Sequence, residues 1–267
     1  MFFGVELNQN SLLKLESINK TYSSEAGLKI NVLKDISFEI PSFDGGIITS
    51  ILAPFGSGKS TLLKIISGIS EQSSGKIYYN GSEKKERIPF IPENPSSFPW
   101  LNVKQNIEFG LNLSEKKKYN LPNLISFVGL SGYEDHYPNN KSLGFRFRIS
   151  LARALALNTS LILIDDSFKL MNKESREEIY NLLNEISSYQ KQNFILTTTN
   201  LIEAIQLSDK IFLMSKKPGR IIKEIEIDKS IKPQLNEHKS EKFTMLKNEI
   251  EDAFETVESL TTINYSL

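Results

Sequence analysis

The feature that most restricts the possible folds is a glycine-rich turn between an apolar strand and a helix. Residues Ile47–Ala53 form a mostly apolar run that suits a buried strand, and Ser60–Ile69 has the spacing of a helix. The turn between them reads Phe-Gly-Ser-Gly after an Ala-Pro pair, and it runs into Lys-Ser-Thr. Small residues let backbone N–H groups turn inward around an anion, and the positive end of the helix faces the same point. The sequence therefore predicts a phosphate-binding loop.

Two side chains of this loop add the chemistry that a nucleoside triphosphate requires. Lys59 can reach the outer phosphates, and the Ser60 hydroxyl can coordinate Mg²⁺. The strict motif begins with glycine, whereas this loop begins with Ala53, which would cost about 1 kcal/mol if its backbone were left-handed. The alternative, a glycine-rich turn with an incidental lysine, does not explain the flanking strand and helix. The candidate nucleotide contacts are Ala53, Pro54, Phe55, Gly56, Ser57, Gly58, Lys59, Ser60 and Thr61.

A second acidic element follows a continuous apolar run. Leu161–Ile164 favours a buried strand, and Asp165 and Asp166 come directly after it. Ligands of open α/β sheets bind outside the carboxyl ends of the strands. We therefore expect Asp165 to hold Mg²⁺, directly or through water. A strand end that caps the following turn is the alternative.

Composition excludes several classes of function. The 267 residues carry 32 basic and 32 acidic side chains, so no net charge attracts nucleic acid, and no nucleic-acid partner is expected. The absence of cysteine excludes disulfides, thiolate metal sites and a cysteine nucleophile. The first ten residues do not read as a signal peptide, and no apolar run approaches the roughly 20 residues of a membrane span. These features predict a cytoplasmic protein.

The order of elements predicts an α/β fold. The first part of the chain contains alternating segments typical of half-exposed strands, Leu12–Ile18 and Ile36–Ile40. In the second half, apolar strands such as Phe194–Leu196 alternate with helical segments, which indicates a parallel sheet covered on both faces. Lys242–Leu260 has the pattern of a charged amphipathic helix, and we expect it to be a packed or solvated extension.

These residues and their order resemble the ATP-binding cassette (ABC) transporter ATPases, over roughly Leu12–Ile227. The resemblance is closest to importer ATPases of the nitrate, sulfonate and taurine type. The segments that carry it are Pro99–Val103 with Asn106-Ile107, Tyr137-Pro138, Leu151–Leu155, Ser175–Glu178, Glu203-Ala204 and Pro218–Ile221.

The resemblance implies a particular architecture. It is a P-loop NTPase core with a mostly parallel sheet, an antiparallel β subdomain and a helical subdomain that carries the family's signature segment. Residues 1–230 would form the nucleotide-binding domain, with the helical subdomain at about 94–158. Residues 231–267 would form a C-terminal helical extension.

The resemblance also implies partners and ligands. Two ATPase subunits, identical or different, would pack head to tail and hold Mg²⁺-ATP between the loop of one chain and the signature segment of the other. The pair would drive a transmembrane permease from the inner face of the cell membrane. Tyr22 matches the aromatic residue that stacks on adenine, and Ser142 and Gly144 match signature positions. A half-buried tyrosine at a strand end is the alternative for Tyr22. The segment Asn94–Val103, with Phe98 and Trp100, would contact the permease or pack in the core.

Several positions depart from the family pattern. Glu93 stands where the family has a glutamine that contacts Mg²⁺ and water, and Leu143 replaces a signature glycine. Asp166 replaces the catalytic glutamate, and Thr199 replaces the switch histidine. Asn172 replaces a later loop aspartate. Neither histidine of the chain, His136 or His238, is near the expected position, and we expect both at the surface.

These departures predict intact nucleotide binding with slow hydrolysis. Asp166 is one methylene shorter than glutamate, and a misplacement of about 1 Å can cost about 100-fold in rate. Thr199 cannot carry a positive charge near the γ-phosphate. The sequence supports an energising ATPase subunit, with Asp166, Glu93 and Thr199 as catalytic candidates and Ser60, Asp165 and Glu93 at the metal. The alternatives are a non-hydrolysing partner of an orthodox ABC ATPase and a soluble P-loop enzyme.

Overall fold

A computed structural model describes residues 11–24, 27–42, 44–83, 88–113, 119–227 and 241–263. The strands are β1 (Ser11–Ser23), β2 (Lys29–Pro41), β3 (Ile48–Leu52), β4 (Ser74–Tyr79), β5 (Phe90–Ile91), β6 (Leu161–Asp165), β7 (Asn193–Thr198), β8 (Lys210–Met214) and β9 (Ile221–Glu226). The helices are α1 (Lys59–Ile66), α2 (Val103–Leu113), α3 (Leu121–Phe127), α4 (Leu143–Ala156), α5 (Lys173–Gln190), α6 (Leu201–Leu207) and α7 (Glu241–Ile263).

The main sheet has six strands in the order β5-β6-β7-β3-β8-β9. Neighbouring strands are parallel except β8 and β9, which are antiparallel. Successive residues of the buried strands enter opposite cores: Leu161 and Leu163 face one cluster, and Ile162 and Ile164 face the other. This alternation explains the continuous apolar runs, because both faces of the sheet are covered. The mostly parallel sheet is confirmed, and the carboxyl ends of β3, β6 and β7 lie together at one edge.

A separate antiparallel sheet, in the order β2-β1-β4, covers the same side of the main sheet as α1. Both long strands extend beyond the predicted Leu12–Ile18 and Ile36–Ile40. They continue through register shifts, with Thr21 paired to Asn31, so that polar residues without an alternating pattern still join the ladder. The antiparallel β subdomain implied by the resemblance is present.

The opposite face of the main sheet is covered by helices. α2, α3, α4 and α5 share one apolar cluster, in which Phe168 contacts both Phe147 and Tyr180. α4 begins where the Ser142 Oγ accepts a hydrogen bond from the Phe145 N–H, which caps the helix. This layer fixes the position of the signature segment relative to β6.

The last described helix, α7, packs against the far end of the sheet. Phe243 and Ile250 are buried in a cluster with Ile205 and Ile225. The Lys223 ammonium lies 2.7 Å from a Glu249 carboxylate oxygen, across the β9 surface. The expectation of a helix over 242–260 is confirmed, and the extension packs on the core. The expected boundary at 230/231 and His238 lie outside the described residues. In the described part of the chain, no helix is long and apolar enough to span a membrane.

Candidate functional site: a nucleotide pocket at the sheet edge

The phosphate loop leaves β3 and enters α1 through two glycines in left-handed conformations. Gly56 has φ +77° and Gly58 has φ +96°. A β-carbon on Gly58 would lie 2.8 Å from Val32 Cγ1, so this position has neither the conformation nor the space for a side chain. Ala53 is not left-handed, so the penalty expected there does not apply. Its N–H donates to the Thr198 carbonyl at 3.2 Å, which fixes the start of the loop to β7.

Three residues form a hydroxyl and carboxylate cluster at the base of the loop. The Ser60 Oγ donates to Asp165 Oδ1 at 2.9 Å, and the Thr197 Oγ1 donates to the same oxygen at 2.7 Å. The parallel pairing of β6 with β7 puts Asp165 beside Thr197. Mg²⁺ prefers oxygen ligands and is usually held by one or two carboxylates together with substrate phosphates. The donor set of Ser60 and Asp165 therefore fits Mg²⁺ bound with a nucleotide. Within the described residues, no group of three or more acidic or histidine side chains forms a protein-only metal site.

Lys59 and Asp166 form a long, buried ion pair. The Lys59 Nζ lies 3.9 Å from Asp166 Oδ2, and their side chains are only 6% and 10% exposed. Burial lowers the pKa of Lys59, and the charge of Asp166 partly opposes this. Burial also raises the pKa of Asp166, against the attraction of Lys59. Both charged forms are incompletely compensated, so an anion at the loop would stabilise the Lys59 ammonium. The buried Ser57 hydroxyl, which has no hydrogen-bond partner in the described structure, is a further donor within the loop.

Glu93 and Thr199 lie on the exposed rim of the same corner. Glu93 follows β5 on its path out of the sheet, and its charge acts on both Lys59 and Asp166. Thr199 directly follows β7 and is exposed, and Asn200 then caps α6 by accepting from two N–H groups. The carboxyl ends of the strands thus bring Glu93, Asp165, Asp166 and Thr199 to one edge around Lys59.

The predicted signature residues lie apart from this corner. Ser142 is exposed at the N-terminus of α4, and a β-carbon on Gly144 would lie 3.2 Å from Ser175 Cβ. Among the described contacts, none joins Ser142 or Gly144 to the phosphate loop. Leu143 is partly buried and packs against the helical core, so its side chain contacts this chain's own interior. Asn172 caps α5, because its Oδ1 accepts from the Ser175 N–H at 2.9 Å.

Tyr22 lies at the end of β1, with 46% of its surface exposed. The Lys20 Nζ is 4.8 Å from the centroid of its ring, so this ring face is already near a cation. A half-exposed ring is compatible with both roles foreseen for it, a stacking surface and a strand-end tyrosine. His136 is exposed, as expected.

Sequence reasoning missed two groups at this site. Thr197 is the first of three consecutive threonines, and the signal that could have singled it out was its place beside an acidic strand end in a parallel pair. The Glu203 carboxylate is buried between α5 and α6, where it accepts a hydrogen bond from the Tyr180 hydroxyl at 2.7 Å. Burial raises the pKa of Glu203. Its second oxygen is also buried.

The fold and the pocket define a P-loop nucleotide-binding protein. The family described as ABC transporter matches residues 33–169. The aliphatic sulfonates import ATP-binding protein SsuB of Bacillus cereus is 32% identical over 247 residues, which cover 91% of this chain and 96% of that protein. The chain therefore belongs to the ABC transporter family, as one of its ATP-binding subunits. This confirms the resemblance drawn from the sequence and excludes a soluble P-loop enzyme of another family.

Two solved structures support the fold. The ATP-binding cassette MJ0796, solved as a dimer in a post-hydrolysis state with ADP and Pi, gives a TM-score of 0.69 at 24% identity and covers 81% of this chain and 99% of its own. The cbiO1 protein of Clostridium perfringens, part of the ABC transporter complex cbiONQ, gives 0.70 at 24% identity and covers 89% and 94%. At these identities the likeness establishes the ABC ATPase fold.

Proposed function

We propose that this chain binds Mg²⁺-ATP at the phosphate loop and couples it to an importer permease at the inner face of the cell membrane, with slow hydrolysis. The observation that carries the proposal is the contrast between two neighbouring groups. Ser60, Thr197 and Asp165 are joined by short hydrogen bonds, whereas Asp166 lies 3.9 Å from Lys59 with its pKa raised by burial. This contrast supports nucleotide binding together with weak activation of water.

Each side chain has a defined task in this proposal. The loop from Ala53 to Thr61 surrounds the phosphates with backbone N–H groups, and Lys59 pairs with their outer oxygens. Ser60 and Asp165 would hold Mg²⁺, with Glu93 beside them, and the ion would neutralise charge between the phosphates. Tyr22 would stack on the adenine.

Asp166 would orient the attacking water, which makes its position decisive. A catalytic base must lie within hydrogen-bond reach of the proton that it accepts. The short Asp166 carboxylate lies 3.9 Å from the Lys59 ammonium, and burial raises its pKa, so its position is set by a long contact with Lys59. Thr199 at the rim supplies a hydroxyl but no positive charge. Both features reduce the rate without removing nucleotide contacts.

Partner contacts are proposed on two surfaces. Ser142 and Gly144, at the N-terminus of α4, would face the nucleotide of a second ATPase subunit. The permease would contact an aromatic patch in which Phe98 lies 5.6 Å from Trp100 and 5.1 Å from Phe109, between ring centroids. Trp100 is 70% exposed, and such an anchor fits a protein interface.

We also propose residues 1–230 as the nucleotide-binding domain, with the helical subdomain at 94–158, and residues 231–267 as the extension.

Calorimetry on the full chain tests binding. Titration of ATP with Mg²⁺ should give a saturable signal, and chelation of Mg²⁺ should weaken the affinity. Asp165→Asn should lose most of this Mg²⁺ dependence, whereas the exposed control Asp135→Asn should keep it. No detectable heat from ATP with the folded wild-type chain would refute the proposal.

Steady-state phosphate release tests hydrolysis and separates the two remaining roles. Typical enzymes turn over about 10 times per second, and we expect this chain to be at least about tenfold slower. Turnover at the typical rate would contradict slow hydrolysis. An ATP-dependent dimer without any phosphate release would favour the second role, a non-hydrolysing nucleotide-binding partner of an orthodox ABC ATPase. Asp166, Thr199, Leu143 and Glu93 together are the residues that favour this second role.

A further inference from the structure

An exposed phenylalanine in the phosphate loop has a lysine beside it. Phe55 is 76% exposed, which is unusual for a large apolar side chain in a binding loop. The Lys169 Nζ lies 5.5 Å from the centroid of its ring, within the range of a cation–π contact. Lys169 lies in the exposed segment between β6 and α5, shortly after the two aspartates. The contact thus joins the loop after β3 to the loop after β6, above the nucleotide pocket.

Most of the charged side chains around the pocket are acidic. Three carboxylates, Asp165, Asp166 and Glu93, surround it, and in the described part of the chain Lys59 is the one buried lysine among them. A triphosphate would add further negative charge at the same place. Glu93 is the least favourable of these groups for a polyanion, because it is exposed at the rim and is not part of the hydroxyl cluster.

Lys169 acts on the same atoms as Glu93, with opposite sign. Burial is the main cause of the lowered pKa of Lys59; the charge of Lys169 lowers it further, and Glu93 raises it. Burial likewise raises the pKa of Asp166, where Lys169 lowers it and Glu93 raises it. The contact of Lys169 with Phe55 of the phosphate loop places its ammonium at this end of the pocket.

We propose that Lys169 is a phosphate-binding residue, held above the loop by Phe55, whose ammonium pairs with the terminal phosphate of ATP and offsets the charge of Glu93. The inference rests on the proposed function of the pocket. A cation–π contact with an exposed ring is weak compared with a charge-assisted bond to phosphate, so the ammonium can leave the ring when a nucleotide binds. Phe55 then limits the positions that the lysine samples in the free protein.

Nucleotide affinity measured by calorimetry tests this role. Lys169→Met should weaken Mg²⁺-ATP binding by about tenfold, the effect of losing one charged hydrogen bond, and should change Mg²⁺-ADP binding by less than about twofold. Lys169→Arg should keep an ATP affinity close to that of wild type, because it keeps the positive charge. In Lys169→Met, ATP affinity should depend less on salt concentration than in wild type. Lys173→Met is the matched control, because this lysine is exposed four residues further on and pairs with Glu177.

The charge balance gives an independent variant. Glu93→Gln should tighten ATP binding, and the double variant Glu93→Gln with Lys169→Met should return close to the wild-type affinity. Wild-type ATP affinity in Lys169→Met would overturn the inference alone, and equal losses for ATP and ADP would overturn the placement at the terminal phosphate. A lowered Tm of Lys169→Met, together with equal losses of affinity for ATP and ADP, would overturn the inference and assign Lys169 a structural role. Failure of the wild-type chain to bind ATP would instead overturn the proposed function.

Discussion

Two parts of the pocket lie side by side at the end of β6, yet they are built differently. We call Ser60, Asp165 and Thr197 the metal corner, and Asp166 and Thr199 the hydrolytic corner. Asp165 is the last residue of β6 and accepts two short hydrogen bonds from Ser60 and Thr197. Asp166 follows the strand in a left-handed conformation with φ +44°. Its carboxylate pairs with the Lys59 ammonium at 3.9 Å. A group fixed by several partners tolerates changes around it, whereas a group that depends on one long contact loses its function when one position changes.

The largest expected effect comes from removing the charge that both corners share. Lys59→Met should weaken Mg²⁺-ATP binding by about 100-fold, since losing the buried contact between its ammonium and the phosphates costs about 3 kcal/mol. Calorimetry should find nearly unchanged affinity in Lys64→Met, because Lys64 is exposed on the last turn of the same helix. Equal affinities of Lys59→Met and wild type would mean that the metal corner holds ATP without this ammonium.

Restoring the family's residues in the hydrolytic corner should raise the rate of phosphate release and leave ATP affinity nearly unchanged. The double variant Asp166→Glu with Thr199→His should release phosphate about tenfold faster than wild type or more, because a general base in the correct place contributes about 100-fold. Its ATP affinity should stay within about threefold of wild type, the range of a minor contact. Glutamate tolerates φ +44° less well than aspartate, so a small loss of Tm is expected. A large loss of ATP affinity would show that the two corners are not separable.

Two glycines of the phosphate loop, Gly56 and Gly58, should differ in how much a side chain there costs the stability of the protein. Gly58→Ala should lower the free energy of unfolding by about 2 kcal/mol, because a left-handed backbone and the contact with Val32 both oppose a β-carbon. Gly56→Ala is the matched variant: it has a similar φ but no atom within 4 Å of the added carbon, so about 1 kcal/mol is expected. Urea denaturation measures both values. Equal losses would mean that backbone conformation alone determines the cost.

The smallest effect concerns the buried carboxylate behind the pocket. Burial raises the pKa of Glu203 above its ordinary 4.5, and the hydrogen bond from Tyr180 only partly opposes this. Because the folded state holds this proton more tightly than the unfolded chain, the contribution of Glu203 to stability is greatest below pH 4.5 and is lost as the pH rises through the folded-state pKa.

Glu203→Gln should remove this loss, so the variant should gain stability relative to wild type between pH 4.5 and neutrality. Each unit of difference in pKa corresponds to about 1.4 kcal/mol. Denaturation at a series of pH values measures the slope, with the exposed Glu185→Gln as control. Parallel curves for Glu203→Gln and wild type would contradict the raised pKa.

Much of the fold could be predicted from the sequence because it depends on local patterns. The strands β6 and β7 were predicted from uninterrupted apolar runs, and β3 was predicted from a mostly apolar one. β1 and β2 were predicted too short, because their polar ends pair across register shifts that leave no alternating pattern. The conditional cost at Ala53 does not arise, because its backbone is not left-handed, and its N–H donates to the carbonyl of the distant Thr198, a contact that local pattern does not reveal.

The sequence by itself determined the phosphate loop, the acidic strand end and the departures at Asp166 and Thr199, because residue type and spacing carry that chemistry. Only the tertiary structure decided which groups meet. The strand order places Thr197 against Asp165 and Lys169 above Phe55, and burial shifts the pKa values of Lys59 and Asp166. The reason is physical: hydrogen bonds and desolvation depend on distances between segments far apart in the chain, and only the packed sheet fixes those distances.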